Sequence, residues 1–128
     1  MGKRLLVVDD ALIIREMIKD AAWSAGWEIV GEASNGQEAI QQYQETSPDV
    51  VTLDLIMPEY DGLHALEGIM KIDPAANILV VSAIDQTDIL KEALQMGAAD
   101  FIVKPFEKPR LTSALDKIAA HDRSPATG

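Results

Sequence analysis

Four short apolar runs of the sequence are each followed directly by polar side chains that could do chemistry together. These side chains are Asp9 and Asp10 after residues 5–8, Asp54 after 50–53, Ser82 after 78–81, and Lys104 after 101–103. If the runs are parallel strands, the side chains meet, because ligands of an open α/β sheet bind at the carboxyl ends of its strands. Like charges about 4 Å apart repel by roughly 1 kcal/mol in water and roughly 4 kcal/mol near a protein surface. A pocket with three carboxylates and one amine therefore predicts a bound cation.

The oxygen ligands in this set suit Mg²⁺, with Mn²⁺ as an alternative ion. Mg²⁺ prefers octahedral oxygen coordination, keeps several waters and is held by one or two carboxylates, for which Asp10 and Asp54 are the candidates. A carboxylate can also attack phosphorus and form an aspartyl-phosphate. On Asp54, the phosphoryl oxygens would find the metal, the Lys104 ammonium and the Ser82 hydroxyl as partners. The set therefore indicates phosphoryl transfer.

The same residues also have ordinary structural explanations. Asp9-Asp10 could cap the following helix, as aspartate often does. Lys104-Pro105 could be a turn with a cis peptide bond. Asp54 is harder to explain in this way, because the apolar stretch that follows it ends in a proline and gives it no helix to cap. The joint pattern at four strand ends favours the functional interpretation.

The apolar runs alternate with segments of helical period along the chain. Strands are predicted at Leu5–Val8, Trp27–Ala33, Val50–Leu53, Ile78–Val81 and Phe101–Val103. Helices are predicted from Leu12 to Ala25, from Asn35, after Asp61-Gly62, from Thr87 to Met96, and from about Pro109. This alternation implies right-handed crossovers and a parallel sheet that is covered on both faces. We therefore expect one α/β domain of five strands and five helices.

The first predicted helix shows how its ends and faces are inferred. The spacing of Ile13, Met17 and Ala21 places them on one face, which we expect to be buried. Gly26 suits the position just after this helix. For the second helix, Asn35 is the expected N-cap, with a capping-box glutamate three residues later.

The composition excludes several classes of protein. With 128 residues the chain fits one domain, and its net charge of −10 argues against nucleic acid, whose phosphates need a basic surface. No apolar stretch approaches the roughly 20 residues that span a bilayer, and the run at residues 5–8 is too short for a signal peptide. The lack of cysteine excludes disulfides and thiolate metal sites. We expect a cytoplasmic protein without membrane insertion.

Two other α/β classes fit the residues less well. A phosphatase of the haloacid dehalogenase type also forms an aspartyl-phosphate, but it needs a second aspartate two residues later, where this chain has Ile56. A flavodoxin needs a hydroxyl-rich phosphate loop after its first strand, whereas Asp9-Asp10 would repel the flavin phosphate. We therefore do not expect an enzyme of either class.

At these residues the chain resembles the receiver domain of two-component response regulators, most of all the single-domain, CheY-like chemotaxis regulators. The resemblance covers about Lys3 to Ile118 and rests on Val7-Val8-Asp9-Asp10, Asp54-Leu-Ile-Met-Pro58 with Asp61-Gly62, Ser82-Ala83 and Lys104-Pro105-Phe106. It implies a doubly wound, flavodoxin-like (βα)5 sheet of strand order 2-1-3-4-5, an order for which CheY is the standard example. The receiver domain would span residues 1–121, followed by a polar tail at 122–128.

The resemblance implies a role for each acidic residue. Asp54 would accept a phosphoryl group from the phosphohistidine of a sensor histidine kinase. Asp10, Asp54 and the main-chain carbonyl of Ile56 would bind Mg²⁺, with Asp9 acting through water.

The resemblance also implies a conformational switch. Ser82 would move toward the phosphate, small Ala83 would leave a path open, and Phe101 would turn inward and reshape the surface of the fourth helix, fifth strand and fifth helix. The residues two past the aspartate and two past the serine tune dephosphorylation in this family, and here they are Ile56 and Ile84. Both are apolar and β-branched, so we expect them to shield the acyl-phosphate from water and to give a long-lived phosphorylated state.

Only a short tail follows the fifth predicted helix, so we expect this protein to signal by binding a partner. The resemblance implies a chemotaxis-type kinase as the donor and the flagellar motor switch as the target of a monomeric protein. A phosphorelay carrier that serves a histidine phosphotransfer protein and a receiver domain of a larger regulator are the alternatives. Intact Asp10, Asp54, Ser82 and Lys104 argue against an unphosphorylated docking module.

Overall fold

The computed structural model describes residues 2–57, 61–83, 85 and 87–120. Strands and helices alternate through them as β1 Arg4–Val8, α1 Leu12–Ser24, β2 Glu28–Ala33, α2 Gly36–Thr46, β3 Val50–Leu53, α3 Gly62–Ile72, β4 Ile78–Ala83, α4 Thr87–Gln95, β5 Asp100–Lys104 and α5 Lys108–Ala120. The predicted α/β class is confirmed. Pro58, Ile84 and the predicted tail at 122–128 lie outside the described residues. Within the described part of the chain, no helix has the length and apolar character needed to cross a membrane.

The strands form one parallel sheet in the order β2-β1-β3-β4-β5, which confirms the order implied by the resemblance. Val8 at the end of β1 is level with Leu53 at the end of β3, and Leu53 is level with Val80 of β4. The main-chain N–H of Asp54 donates to the carbonyl oxygen of Val8 at 3.0 Å. The register therefore brings the residues that follow β1 and β3 side by side.

β4 and β5 are longer than the sequence predicts. Ser82 pairs with Val103, and Ala83 pairs with Lys104. Ser82 is therefore the second-last residue of β4 and Lys104 the last residue of β5, whereas the sequence predicts both to lie just after a strand. The physical reason is that a ladder is built from main-chain groups, so a polar side chain does not end it.

The sheet separates two apolar cores. α2, α3 and α4 cover one face, and α1 and α5 cover the other. Neighbouring strand residues contribute to opposite cores: Leu6 and Val51 to the first, Leu5 and Val50 to the second. Burial on both faces explains why the central strands are continuous apolar runs rather than alternating ones.

The buried face of α1 differs from the predicted one. Ile13 is 70% exposed and Met17 is 43% exposed, whereas Ile18 and Ala22 are buried beside Ala21, the one correctly predicted residue. Apolar residues at 12, 13, 14, 17 and 18 fit the helical spacing of more than one face of α1. Packing against α5 and the sheet selects one of them, and the sequence period alone does not.

Side chains and a glycine fix several helix ends. Asn35 caps α2 by accepting a hydrogen bond from the N–H of Glu38 at 2.9 Å, as predicted. Asp61 caps α3 by accepting from the N–H of His64 at 3.0 Å. Gly26, just after α1, has a φ of +90°, which glycine adopts without strain. The N–H of Gly62, at the start of α3, donates to the carbonyl oxygen of Leu55 at 3.0 Å, so α3 starts close to the end of β3.

Two tryptophans lie near the amino-terminal end of β2. Trp23 on α1 is 73% exposed, whereas Trp27 is 1% exposed. The Nε1–H of Trp27 donates to Asp116 of α5 at 3.3 Å, and the Lys3 ammonium lies 6.0 Å from the Trp27 ring centroid. This group of residues joins the start of the chain to α5.

We expect Thr52→Val to raise the free energy of unfolding by about 1 kcal/mol. Thr52 is fully buried in β3, and its hydroxyl forms no hydrogen bond with the described residues. Valine has nearly the same shape and buries no polar group. Urea unfolding measures the difference, and a loss of stability would show that the hydroxyl has a partner in solution.

Candidate functional site

Asp9, Asp10 and Asp54 form an acidic cluster at the carboxyl ends of β1 and β3. One carboxylate oxygen of each lies within 4.8 Å of those of the other two. Asp9 is 0% exposed and Asp54 is 4% exposed, whereas Asp10 is exposed to solvent. The structure therefore brings together the acidic residues that the sequence placed at two strand ends.

The two carboxylate oxygens of Asp9 differ in their surroundings. Oδ1 accepts a hydrogen bond from the N–H of Ala11 at 2.9 Å. Oδ2 is buried and accepts no hydrogen bond from the described residues, although the Lys104 ammonium lies 2.8 Å away as an ion pair outside hydrogen-bonding alignment. The ammonium offsets part of the cost of burying this charged oxygen, which still has capacity for a further partner. Oδ2 therefore fits a metal ion or a metal-bound water.

The surroundings of Asp54 make its carboxylate costly to ionise. Burial raises the pKa of Asp54 to about 6, and the Asp9 carboxylate adds to the rise, while the Lys104 ammonium opposes it. Oδ2 lies 3.5 Å from the Lys104 ammonium, and Oδ1 accepts from the N–H of Ile56 at 3.2 Å. At neutral pH Asp54 is an anion whose charge a further cation would stabilise.

Lys104 closes β5, and its ammonium contacts both buried carboxylates. Its side chain is 21% exposed, and the Lys104–Pro105 peptide bond is cis. Three carboxylates and one ammonium carry a formal charge of −2, which one divalent cation balances. The charge and the oxygen ligands fit Mg²⁺.

The predicted switch residues lie on β4 and β5. Ser82 is 1% exposed, and its Oγ donates to the carbonyl oxygen of neighbouring Ala83 at 3.4 Å. Phe101 is half-buried and packs against the core beneath α2, α3 and α4, and its carbonyl oxygen accepts from the Arg110 guanidinium at 3.0 Å. The movement of Ser82 and Phe101 stays a prediction.

Ile56, two residues after Asp54, is 45% exposed, whereas Leu55 between them is buried. An apolar side chain thus lies at the solvent-facing side of the loop that carries Asp54. The second predicted tuning residue, Ile84, is not among the described residues. The effect of both isoleucines on dephosphorylation stays a prediction.

Arg15 and Gly62 also contact the site, although the sequence analysis does not assign either residue to it. Arg15 of α1 donates from Nη1 to the carbonyl oxygen of Asp9 at 2.7 Å. The N–H of Gly62 donates to the carbonyl oxygen of Leu55 at 3.0 Å, and a Cβ on Gly62 would overlap the carbonyl oxygen of Asp54. Gly62 belongs to the Asp61-Gly62 pair of the sequence motif, but its spacing from Asp54 does not reveal its contact with the backbone of Asp54 and Leu55.

The fold and the site define an open α/β domain with an acidic cluster at the carboxyl ends of its strands. Residues 5–116 match the family described as the response regulator receiver domain. The chain belongs to this family, whose members are signalling proteins.

Several known proteins are similar to this chain. It is 52% identical over 119 residues to the chemotaxis protein CheY of Thermotoga maritima, covering 93% of this chain and 99% of that protein. It is 46% identical over 106 residues to a protein-glutamate methylesterase/protein-glutamine glutaminase of Syntrophomonas wolfei, covering 80% of this chain and 30% of that protein. A chain of the CheX–CheY–BeF3–Mg²⁺ complex of Borrelia burgdorferi superposes with a TM-score of 0.86 at 31% identity, covering 91% of this chain and 88% of that one.

Proposed function

We propose that this protein is a single-domain response regulator that accepts a phosphoryl group on Asp54 and signals through the surface formed by α4, β5 and α5. The observation that carries the proposal is the buried Asp54 carboxylate, which lies beside two further carboxylates and 3.5 Å from the Lys104 ammonium. This arrangement offers one nucleophilic oxygen together with the charges that phosphoryl transfer needs. The receiver domain comprises residues 1–121 in this proposal, and 122–128 form its tail.

The cation would be Mg²⁺, which Mn²⁺ could replace, and its ligands would be Asp10, Asp54 and the carbonyl of Ile56, with Asp9 acting through water. When bound, it supplies positive charge to the phosphoryl oxygens. Similarity to a CheY in a complex with BeF3 and Mg²⁺ supports this assignment. The buried Oδ2 of Asp9 and the net negative charge of the cluster support it independently.

The chemical step moves a phosphoryl group from a phosphohistidine to Asp54. A carboxylate oxygen of Asp54 attacks phosphorus, a P–O bond forms, and the P–N bond to the donor imidazole breaks. Lys104 then binds one phosphoryl oxygen, and the Ser82 hydroxyl donates to another. Attraction of Ser82 toward the phosphate leaves room for Phe101 to turn inward past small Ala83, which changes the α4, β5 and α5 surface.

The donor would be a chemotaxis-type sensor histidine kinase, and the target would be the flagellar motor switch. High identity to CheY over nearly its full length supports this choice. In this role the protein is cytoplasmic and monomeric, binds no nucleic acid, and is not a turnover enzyme, although it promotes its own phosphorylation and dephosphorylation.

The test is to incubate the protein with a small acyl-phosphate donor and Mg²⁺. We expect wild type and Asp88→Asn to gain one phosphoryl group that hydroxylamine removes, because Asp88 is an exposed carboxylate of α4. We expect no adduct on Asp54→Asn. Absence of the adduct from wild type, or equal labelling of Asp54→Asn, would overturn the proposal. A pull-down with phosphorylated protein then separates a motor-switch partner from a histidine phosphotransfer protein.

Ile56→Asn should speed loss of the phosphoryl group by up to about tenfold, because an amide can orient an attacking water and isoleucine cannot. The time course of phosphate release after removal of the donor measures this effect. Ile72→Asn is the matched control, since Ile72 is 43% exposed at the end of α3, close to the 45% of Ile56. An unchanged or slower release from Ile56→Asn would contradict the shielding role of Ile56.

A further inference from the structure

Arg15 lies on α1 and joins two elements at the edge of the acidic cluster. Its Nη1 donates to the carbonyl oxygen of Asp9 at 2.7 Å, and its Nε donates to Oε1 of Glu32 on β2 at 3.0 Å. The Arg15 side chain is only 16% exposed. A guanidinium is suited to this double contact because its donors form a rigid, planar fork.

The main chain is held on both sides of Asp10. The carbonyl oxygen that Arg15 binds belongs to the peptide unit that links Asp9 to Asp10. Because a peptide unit is planar, holding this oxygen fixes the orientation of the backbone that enters Asp10. On the other side, the N–H of Ala11 donates to Oδ1 of Asp9 at 2.9 Å. Asp10 itself is exposed, and these two contacts hold the backbone on either side of it.

Glu32 gives Arg15 a firm anchor. Lys19 lies 2.8 Å from Oε2 of Glu32, so the carboxylate bridges two cations of α1. The hydrogen bond from Lys19, and then that from Arg15, lowers the pKa of Glu32 below its ordinary value. Glu32 is therefore ionised at neutral pH, and β2 holds the guanidinium in place.

We propose that Arg15 is a positioning residue of the cation site, which holds the Asp9–Asp10 peptide so that the Asp10 carboxylate stays within reach of Asp9 and Asp54. This inference rests on the proposed binding of Mg²⁺ by the cluster. It extends that proposal by adding a residue that positions a metal ligand without binding the metal. Loss of such a support typically weakens metal binding by about 10- to 100-fold.

The charge of Arg15 and its positioning role affect the affinity for Mg²⁺ in opposite directions. A guanidinium near the cluster repels Mg²⁺, so removing its charge alone would tighten Mg²⁺ binding. Removing the contact with Asp9 would instead free the backbone at Asp10 and weaken Mg²⁺ binding. Lys19 is the matched control, because it contacts Glu32 from the same helix and no hydrogen bond of its side chain to Asp9 is found among the described residues.

The test is calorimetric titration of the metal-free protein with Mg²⁺, alongside thermal unfolding. We expect Arg15→Met to raise the Kd for Mg²⁺ about tenfold, and Lys19→Met to leave the Kd unchanged or lower it. Arg15→Lys keeps the charge but lacks the planar fork of guanidinium donors. We expect it to raise the Kd for Mg²⁺ about threefold or more. A Kd at or below the wild-type value in Arg15→Met or Arg15→Lys would overturn the inference.

The outcomes separate this inference from the proposed function. If wild type binds no Mg²⁺, the proposed function fails. If wild type binds Mg²⁺ and the Arg15 variants bind it equally well, only the positioning role fails. A purely structural role for Arg15 would lower the unfolding temperature without changing the Kd of the folded protein, and that result would also overturn the inference. If Arg15→Met does not fold, the Kd for Mg²⁺ of Arg15→Lys provides the test.

Discussion

Asp54→Asn is expected to raise the free energy of unfolding of the metal-free protein at pH 7 by about 2 kcal/mol. Burial, with a further contribution from Asp9, raises the pKa of Asp54 from 3.8 to about 6. Each pKa unit corresponds to about 1.4 kcal/mol, so keeping this carboxylate ionised costs the folded state roughly 3 kcal/mol. The buried amide of asparagine should retain about a third of that cost, because its own polar groups lack full hydrogen bonding.

The gain in stability from Asp54→Asn should increase as pH rises. Because the pKa of Asp54 is higher in the folded than in the unfolded chain, the folded chain binds more protons between about pH 4 and pH 6. The contribution of Asp54 to stability therefore falls as pH rises through this window. Asparagine does not titrate, so the advantage of Asp54→Asn should be small near pH 4 and complete above about pH 6.

Urea unfolding in the presence of a chelator, at several pH values across this window, measures the effect. Asp88→Asn removes an exposed carboxylate from α4 and should change the free energy of unfolding by no more than about 0.5 kcal/mol. A destabilised Asp54→Asn protein at pH 7 would contradict the electrostatic strain described for the cluster. So would a gain in stability of the same size at every pH.

Gly62→Ala is expected to lower the free energy of unfolding by about 3 kcal/mol and to weaken Mg²⁺ binding. A Cβ at position 62 would overlap main-chain atoms of Asp54 and Leu55, which are parts of a buried backbone and have little freedom to move. The hydrogen bond from Gly62 to Leu55 would lengthen, and the loop that carries Asp54 and Ile56 would shift. Urea unfolding and Mg²⁺ titration measure the two effects.

Gly68→Ala in the same helix is the matched control. A Cβ on Gly68 would overlap Cδ1 and crowd Cγ1 of Ile40, so this side chain of α2 must rotate, but no main-chain atom has to move. The strain there should be smaller than at Gly62, and alanine is favoured over glycine within a helix by about 1 kcal/mol. If Gly62→Ala were as stable as Gly68→Ala and bound Mg²⁺ with wild-type affinity, the close approach of α3 to β3 would not position Asp54.

The residues of the acidic cluster and the lysine beside it could be predicted from sequence, because their meeting depends on where strands end. Asp9, Asp54 and Lys104 each follow or close an apolar run, and parallel strands place their carboxyl ends at one edge. The limits of β4 and β5 could not be predicted in the same way. Main-chain pairing carries both strands one or two residues past the apolar run, to Ala83 and Lys104.

Contacts between residues on different helices and strands are the features that sequence spacing does not reveal. The approach of Gly62 to Asp54 depends on how α3 packs, and the bond from Arg15 to Asp9 depends on the rotation of α1 about its axis. That rotation was itself wrongly predicted, since Ile13 and Met17 face solvent and not the core. An apolar segment with two equivalent faces leaves the choice to tertiary packing.

The two tryptophans give the protein an optical probe that is independent of the acidic cluster. Trp27 is buried against Asp116, whereas Trp23 is open to water, so unfolding should red-shift only the emission of the first. Both lie near the amino-terminal end of β2, and the acidic cluster lies about 20 Å away, one strand length along the sheet. Tryptophan fluorescence should therefore follow separation of the start of β2 from α5 while remaining insensitive to cation binding.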